Sequence, residues 1–153
     1  MIETKQLKAL LTKSQCPKEL GEKTLEALAA SGTERQFADN VYLLRTGDPA
    51  DRFFLVREGR VSIELPAGYK RTTAIQTIDA GELLGWSWLI PPYQFRISAR
   101  AVGPVSVYSF DAKTVRERMD KDHDVGYEIQ RCFTRLLAQR LEGALSQIVG
   151  LTD

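Results

Sequence analysis

Apolar residues near the start of the chain recur at helical spacings: Leu7, Leu10 and Leu11, then Leu20, Leu25, Leu28 and Ala29. This predicts two short helices, with Pro17 as a first-turn residue after Cys16. From Thr33 the period changes to two. Tyr42 alternates with Val41 and Leu43, and Val61, Ile63 and Leu65 alternate with Arg60, Ser62 and Glu64. Turn signals fall at Ala38-Asp39-Asn40, Gly47-Asp48-Pro49, Glu58-Gly59, Pro66-Ala67-Gly68, Asp79-Ala80-Gly81 and Gly103-Pro104. That rhythm predicts an all-β middle over residues 33–110, built as a sandwich, roll or barrel.

After Phe110 the helical period returns. Asp111 is placed to cap a helix over Ala112 to Met119, and Asp124 a longer one from Val125 to Val149. In the longer helix Ile129, Cys132, Phe133, Leu136, Leu137, Leu141, Ala144, Leu145 and Ile148 cover more than one stripe. One helix packed on its own sheet needs only a narrow apolar face, so the wide one predicts a homodimer through this helix. Packing of both faces within one protomer is the alternative.

Composition narrows the function classes. The 153 residues carry a formal net charge of +1, with 27% charged and 43% hydrophobic residues, enough for one domain with a real core. No global field draws nucleic acid or an anionic membrane. The apolar run from Leu83 to Ile90 is too short to span a bilayer and the start lacks a secretory pattern, so a cytoplasmic location is expected. Cys16 and Cys132 are far apart, which predicts two reduced thiols and no zinc site. His123 is the one histidine, in a charged run, so neither a multi-histidine metal enzyme on a β-roll nor a nucleophile–histidine pair is expected. No catalytic residues, no metal ligands and no enzymatic activity are predicted.

The run Gly47-Asp48-Pro49-Ala50-Asp51, an apolar strand through Val56, and the Glu58-Gly59-Arg60-Val61 hairpin follow one another in an order that resembles the cyclic-nucleotide-binding domain family. Gly81-Glu82-Leu83 resembles the start of that family's phosphate-binding cassette. Arg100-Ala101-Val102 through Tyr108 resembles the strands after it, and Leu136 to Leu141 its long dimerisation helix. The resemblance covers residues 5 to 149. It implies a mainly β fold with flanking α: a β-roll or jelly-roll (double-stranded β-helix) with N-terminal helices over 1–32 and C-terminal helices over 111–153, a catabolite-activator-like sensor without the helix-turn-helix.

It also implies a pocket. In the family the cassette is a short helix whose backbone amides receive a cyclic phosphate, a glutamate accepts the ribose hydroxyl, and an arginine pairs with the phosphate. Carried over, Gly81 and Glu82 open the cassette, Glu82 holds a sugar hydroxyl or caps its own turn, and the amides of Leu83, Leu84 and Gly85 face the anion of cAMP or cGMP. The sequence departs at the arginine, because the matching position is Phe95 in a lengthened cassette. Phe95, Ile97, Ala99 and Ala101 form one face of a strand and Arg96, Ser98 and Arg100 the other, so Arg96 substitutes only if a bulge turns it inward. Trp86 and Trp88, with Tyr93 and Phe95, either stack on a planar ligand or, as favoured, pack over the roll.

The function expected is therefore a non-enzymatic small-molecule sensor whose last helix passes a signal to a protein partner. The alternatives are a dimerising scaffold with a degenerate pocket, or a sensor of a different apolar or planar ligand. The final helix uses up the chain at Asp153, so no DNA-binding module is expected.

Overall fold

A computed structural model describes residues 2–13, 20–66 and 72–152, with side chains to Gly150. The elements run α1 (Thr4–Leu11), α2 (Glu22–Ala30), β1 (Gly32–Phe37), β2 (Tyr42–Leu44), β3 (Arg52–Pro66), β4 (Thr72–Ile78), β5 (Leu83–Leu84), a 3-10 turn (Ser87–Leu89), β6 (Ser98–Asp111), α3 (Ala112–Lys121) and α4 (His123–Thr152). The two opening helices, the β middle and the two closing helices stand where the hydrophobic periods put them. Pro17, Cys16 and Pro66-Ala67-Gly68 involve positions outside the described residues.

Two long strands organise the sheet. All pairs are antiparallel, in the order β1-β6-β3-β4, with β2 added to β6 and β5 to β3. The first half of β3 pairs with the second half of β6 and with β5, while its second half pairs with the first half of β6 and with β4. Each long strand therefore serves both layers of the roll, and each bends between them. The predicted turns at Glu58-Gly59 and Gly103-Pro104 are these bends, not hairpin ends. Register shifts on both sides of Glu58, so that Glu58 faces Ser106 and Arg60 faces Val102. Gly59 (φ +97) and Gly103 (φ +76) take positive φ there, and a Cβ on Gly59 would lie 2.5 Å from the Pro104 carbonyl oxygen. The turn signals mark both places, and a positive-φ glycine serves a bulge as well as a turn.

The helices close one end. Asp111 accepts from the Thr114 amide, as its N-cap position predicts. The cap of α4 is Asp122, which accepts from the amides of Asp124 and Val125, and not Asp124 as expected from sequence. Glu128 of α4 reaches across to α2, where Gly21 has no capping side chain. Its Oε1 accepts from the Gly21 amide and from Thr24 Oγ1, each at 2.7 Å. Lys23 bonds Asp122 at 2.8 Å and holds its carboxyl below the usual carboxylate range.

At the centre, the Phe53 ring stacks on Trp88 at 4.3 Å and on Phe110 at 4.8 Å, and Phe133 of α4 meets both Phe53 and Trp88 edge-on. Trp88 is fully buried, so it packs as favoured, although its Nε1–H has no partner among the described residues. Cys132 is buried and disulfide-bonded, which corrects the expectation of two reduced thiols. No helix among the described residues is long and apolar enough to cross a membrane.

Candidate ligand cavity

The lengthened cassette is held at both ends by backbone. At its start Gly81 (φ +90) ends the turn after β4, and its amide donates to the Val56 carbonyl while Val56 donates to that of Glu82. At its far end the Gly47 to Ala50 loop acts as a clamp. Gly47 donates to the Phe95 carbonyl (2.8 Å), Phe95 to that of Asp48 (2.9 Å) and Ala50 to that of Tyr93 (2.7 Å). The motif that carried the family resemblance thus does structural work, fixing where Phe95 sits.

Between these ends the backbone differs from a phosphate-binding helix. Leu83 and Leu84 form β5, paired with Leu55 and Phe54, and helix is confined to the three residues Ser87–Leu89. The expected helix at Leu83 and Leu84 is replaced by ladder because apolar side chains here finish the core: both residues are buried.

The cavity lies beneath α4. It has a volume of about 260 Å³ and is walled by Ile63, Ile75, Ile78 and Ile97 of the sheet region, by Leu83 to Trp86 of the cassette, and by Leu136, Leu137, Leu141 and Ala144 of α4. Only two of its lining side chains are strongly polar, Gln76 and Arg140. Four expected site residues, Leu83, Leu84, Gly85 and Trp86, therefore come together on one wall. Trp86 is half-buried against the space while Trp88 belongs to the core.

The other four stand elsewhere. Gly81 backs against the end of α1, where a Cβ would meet Lys13. Phe95 is 4% exposed, packed in the core and not part of the cavity wall. Arg96 is exposed in the bend before β6, beside the buried Phe95, and it does not line the cavity; the expected strand begins only at Ser98. Glu82 stands beside the cavity with both oxygens engaged: Oε1 accepts from the Asp79 amide (3.1 Å) and Oε2 from Arg140 Nη2 (3.4 Å). It caps its own turn and also anchors α4.

Arg140 is the residue that the sequence reading passed over, as one letter of a dimerisation helix. Its side chain is 21% exposed, and Nη2 also donates to the Leu83 carbonyl at 3.4 Å. Burial holds its guanidinium below the ordinary value, with the Glu82 carboxylate acting in the opposite direction. Gln76 donates to the Arg140 carbonyl at 3.0 Å, and Gln147 donates to the Ile75 carbonyl, so three side chains tie α4 to the cavity rim. The nearby network of Glu64, 3% exposed, with Arg100 Nε (2.8 Å) and Tyr42 hydroxyl (2.8 Å) lies outside the cavity wall. His123 is exposed at the start of α4, and no cluster suited to a metal ion occurs among the described residues.

Comparison with known proteins adds to this geometry. The sequence model of the family described as "Cyclic nucleotide-binding domain" matches residues 34–122. A protein of Geobacter metallireducens GS-15 named for cyclic-nucleotide binding shares 25% identity and a TM-score of 0.77, over 92% of this chain and 99% of that one. A cyclic nucleotide-binding domain from Methylobacillus flagellatus KT shares the fold at a TM-score of 0.82 with 17% identity, over 96% and 83% of the two chains. A curated relative, Glutaminase 1 of Bradyrhizobium diazoefficiens, is 32% identical over 131 residues, 84% of this chain. The chain spans about a fifth of that protein's length, 20%.

Proposed function

The chain belongs to the cyclic nucleotide-binding domain family, and on that premise we propose that residues 1–153 form a non-enzymatic sensor that binds a small molecule in the cavity under α4. The carrying observation is that one cavity is walled by both the cassette and α4, so an occupant touches the element that would report it. An open cavity of about 260 Å³ also counts against a scaffold whose pocket has been filled by side chains. Leu141, Leu145 and Ile148, exposed along α4, support a homodimer through this helix, with output to a protein partner.

Cyclic nucleotides are the family's ligands, and Phe95 argues for weak binding of them here. A missing charge-assisted bond is worth about 1.5–3 kcal/mol, or one to two orders of magnitude in affinity. The test is a titration of cAMP and cGMP by calorimetry and by Trp86 emission in a Trp88→Phe background. Weak saturable binding with an emission change supports a nucleotide sensor. Silence in both channels at millimolar nucleotide eliminates cyclic-nucleotide sensing and leaves a different ligand. Sedimentation velocity at micromolar protein checks the dimer, and a monomer there sinks it.

A further inference from the structure

Resting on the sensor reading, we propose that the cavity takes a small monocarboxylate with an apolar body, its carboxylate bound by Arg140 in place of Glu82. Three observations carry this. First, the wall is aliphatic apart from Trp86, Gln76 and Arg140. A ribose and purine present many polar atoms, and most would be buried there without partners, each at a cost. A hydrocarbon body meets no such penalty.

Second, the guanidinium is under-satisfied. It is 21% exposed, yet its contacts are two bonds from Nη2, to Glu82 Oε2 and the Leu83 carbonyl, both at the long distance of 3.4 Å. Among the described residues, its Nε and Nη1 donate to nothing. A planar fork with free donors at the edge of an apolar space is matched by the two oxygens of a carboxylate. Third, Glu82 is itself a carboxylate, already held by its other oxygen to the Asp79 amide. It therefore acts as an internal competitor, and ligand entry exchanges one carboxylate partner of Arg140 for another.

Exchange frees α4 of its ionic tie to Glu82 of the cassette, which links occupancy to the helix. A single guanidinium is sufficient for a monoanion. The strand conformation of Leu83 and Leu84 leaves the cassette without the helical amide cradle that a phosphodiester uses.

The experiment titrates the full chain with sodium octanoate, 4-phenylbutyrate, 1-octanol and cAMP, read by calorimetry and Trp86 emission in the Trp88→Phe background. The two carboxylates are expected to bind more tightly than octanol. Arg140→Met should weaken octanoate roughly ten- to a hundredfold and leave octanol unchanged. Glu82→Gln, which removes the competitor, should tighten octanoate; circular dichroism melts confirm that each variant folds. Equal affinity for octanoate and octanol overturns the proposal, as does octanoate binding indifferent to Arg140→Met. Binding of cAMP with no response to either carboxylate overturns the proposal and keeps the sensor reading. No response to any of the four overturns both.

Discussion

Restoring the family arginine by Phe95→Arg is the obvious repair of this pocket, and the structure predicts that it fails. Phe95 is 4% exposed and packs in the core, outside the wall of the cavity. Its backbone, in the segment before β6, is fixed by the bonds to Gly47 and Asp48, so the side chain cannot easily turn toward the ligand space. Loss of a buried phenyl ring costs about 3–5 kcal/mol when truncated to alanine, and the arginine stem recovers part of that. The guanidinium cannot deprotonate, and an unpaired buried charge adds several kcal/mol even after relaxation. Asp48, whose carbonyl receives the Phe95 amide, is exposed and offers no buried counter-ion. The sum is about 5 kcal/mol, comparable with the whole stability of a domain of this size. Urea denaturation followed by circular dichroism, with cAMP titration alongside, gives the outcome. The variant should lose most of its cooperative transition and gain no nucleotide affinity. An unchanged midpoint together with at least tenfold tighter cAMP binding would refute the placement of Phe95 outside the site.

Two further outcomes follow from geometry away from the cavity. Gly59→Ala should destabilise by about 1–3 kcal/mol through positive-φ strain alone, with the Cβ contact to the Pro104 carbonyl added. Gly103→Ala, which meets nothing within 4 Å, should lose clearly less, and equal losses in urea melts would contradict the tight crossing of the two bends. The Asp122 carboxyl is depressed mainly by the Lys23 hydrogen bond, so its stabilisation is complete above the unfolded value of about 3.9 and fades as pH falls through the folded one. Asp122→Asn keeps a capping oxygen and loses the charge; its urea midpoint should lie below the parent's at pH 7, with the gap narrowing as the pH is lowered into the acid range, and a constant gap would disprove the link.

How far the chain announces this structure depends on the range of each interaction. Asp111 was legible because a cap acts within three residues, on Thr114. Asp122 and Asp124 share one charged run, and local pattern could not tell which carboxylate faces the first amides of α4. Glu58-Gly59 and Gly103-Pro104 advertised turns, while whether the chain reverses or merely bends there is settled by pairing with a distant strand. Leu83 to Trp86, which the resemblance names, lie together on one wall of the cavity. Arg140 was not legible, because it meets Glu82 across 58 residues, and within its helix it reads as one polar position beside an apolar stripe. A signal did exist: an arginine flanked by Leu136, Leu137, Leu141 and Ala144 stands on a helix face too apolar to be wholly solvated.

The long helix α4 is held unevenly, and this sets how far its end can swing. Its buried residues, Val125, Ile129, Cys132, Phe133 and Leu136, all lie in the first half of its 30 residues. The part beyond Leu136 is about 24 Å long at 1.5 Å per residue, a cantilever resting on the cavity rim. A tilt of about 10° at its fulcrum would carry the tip through roughly 4 Å by that length. Lifting the arm by the width of a methyl group near its root would thus move its far end by several times as much.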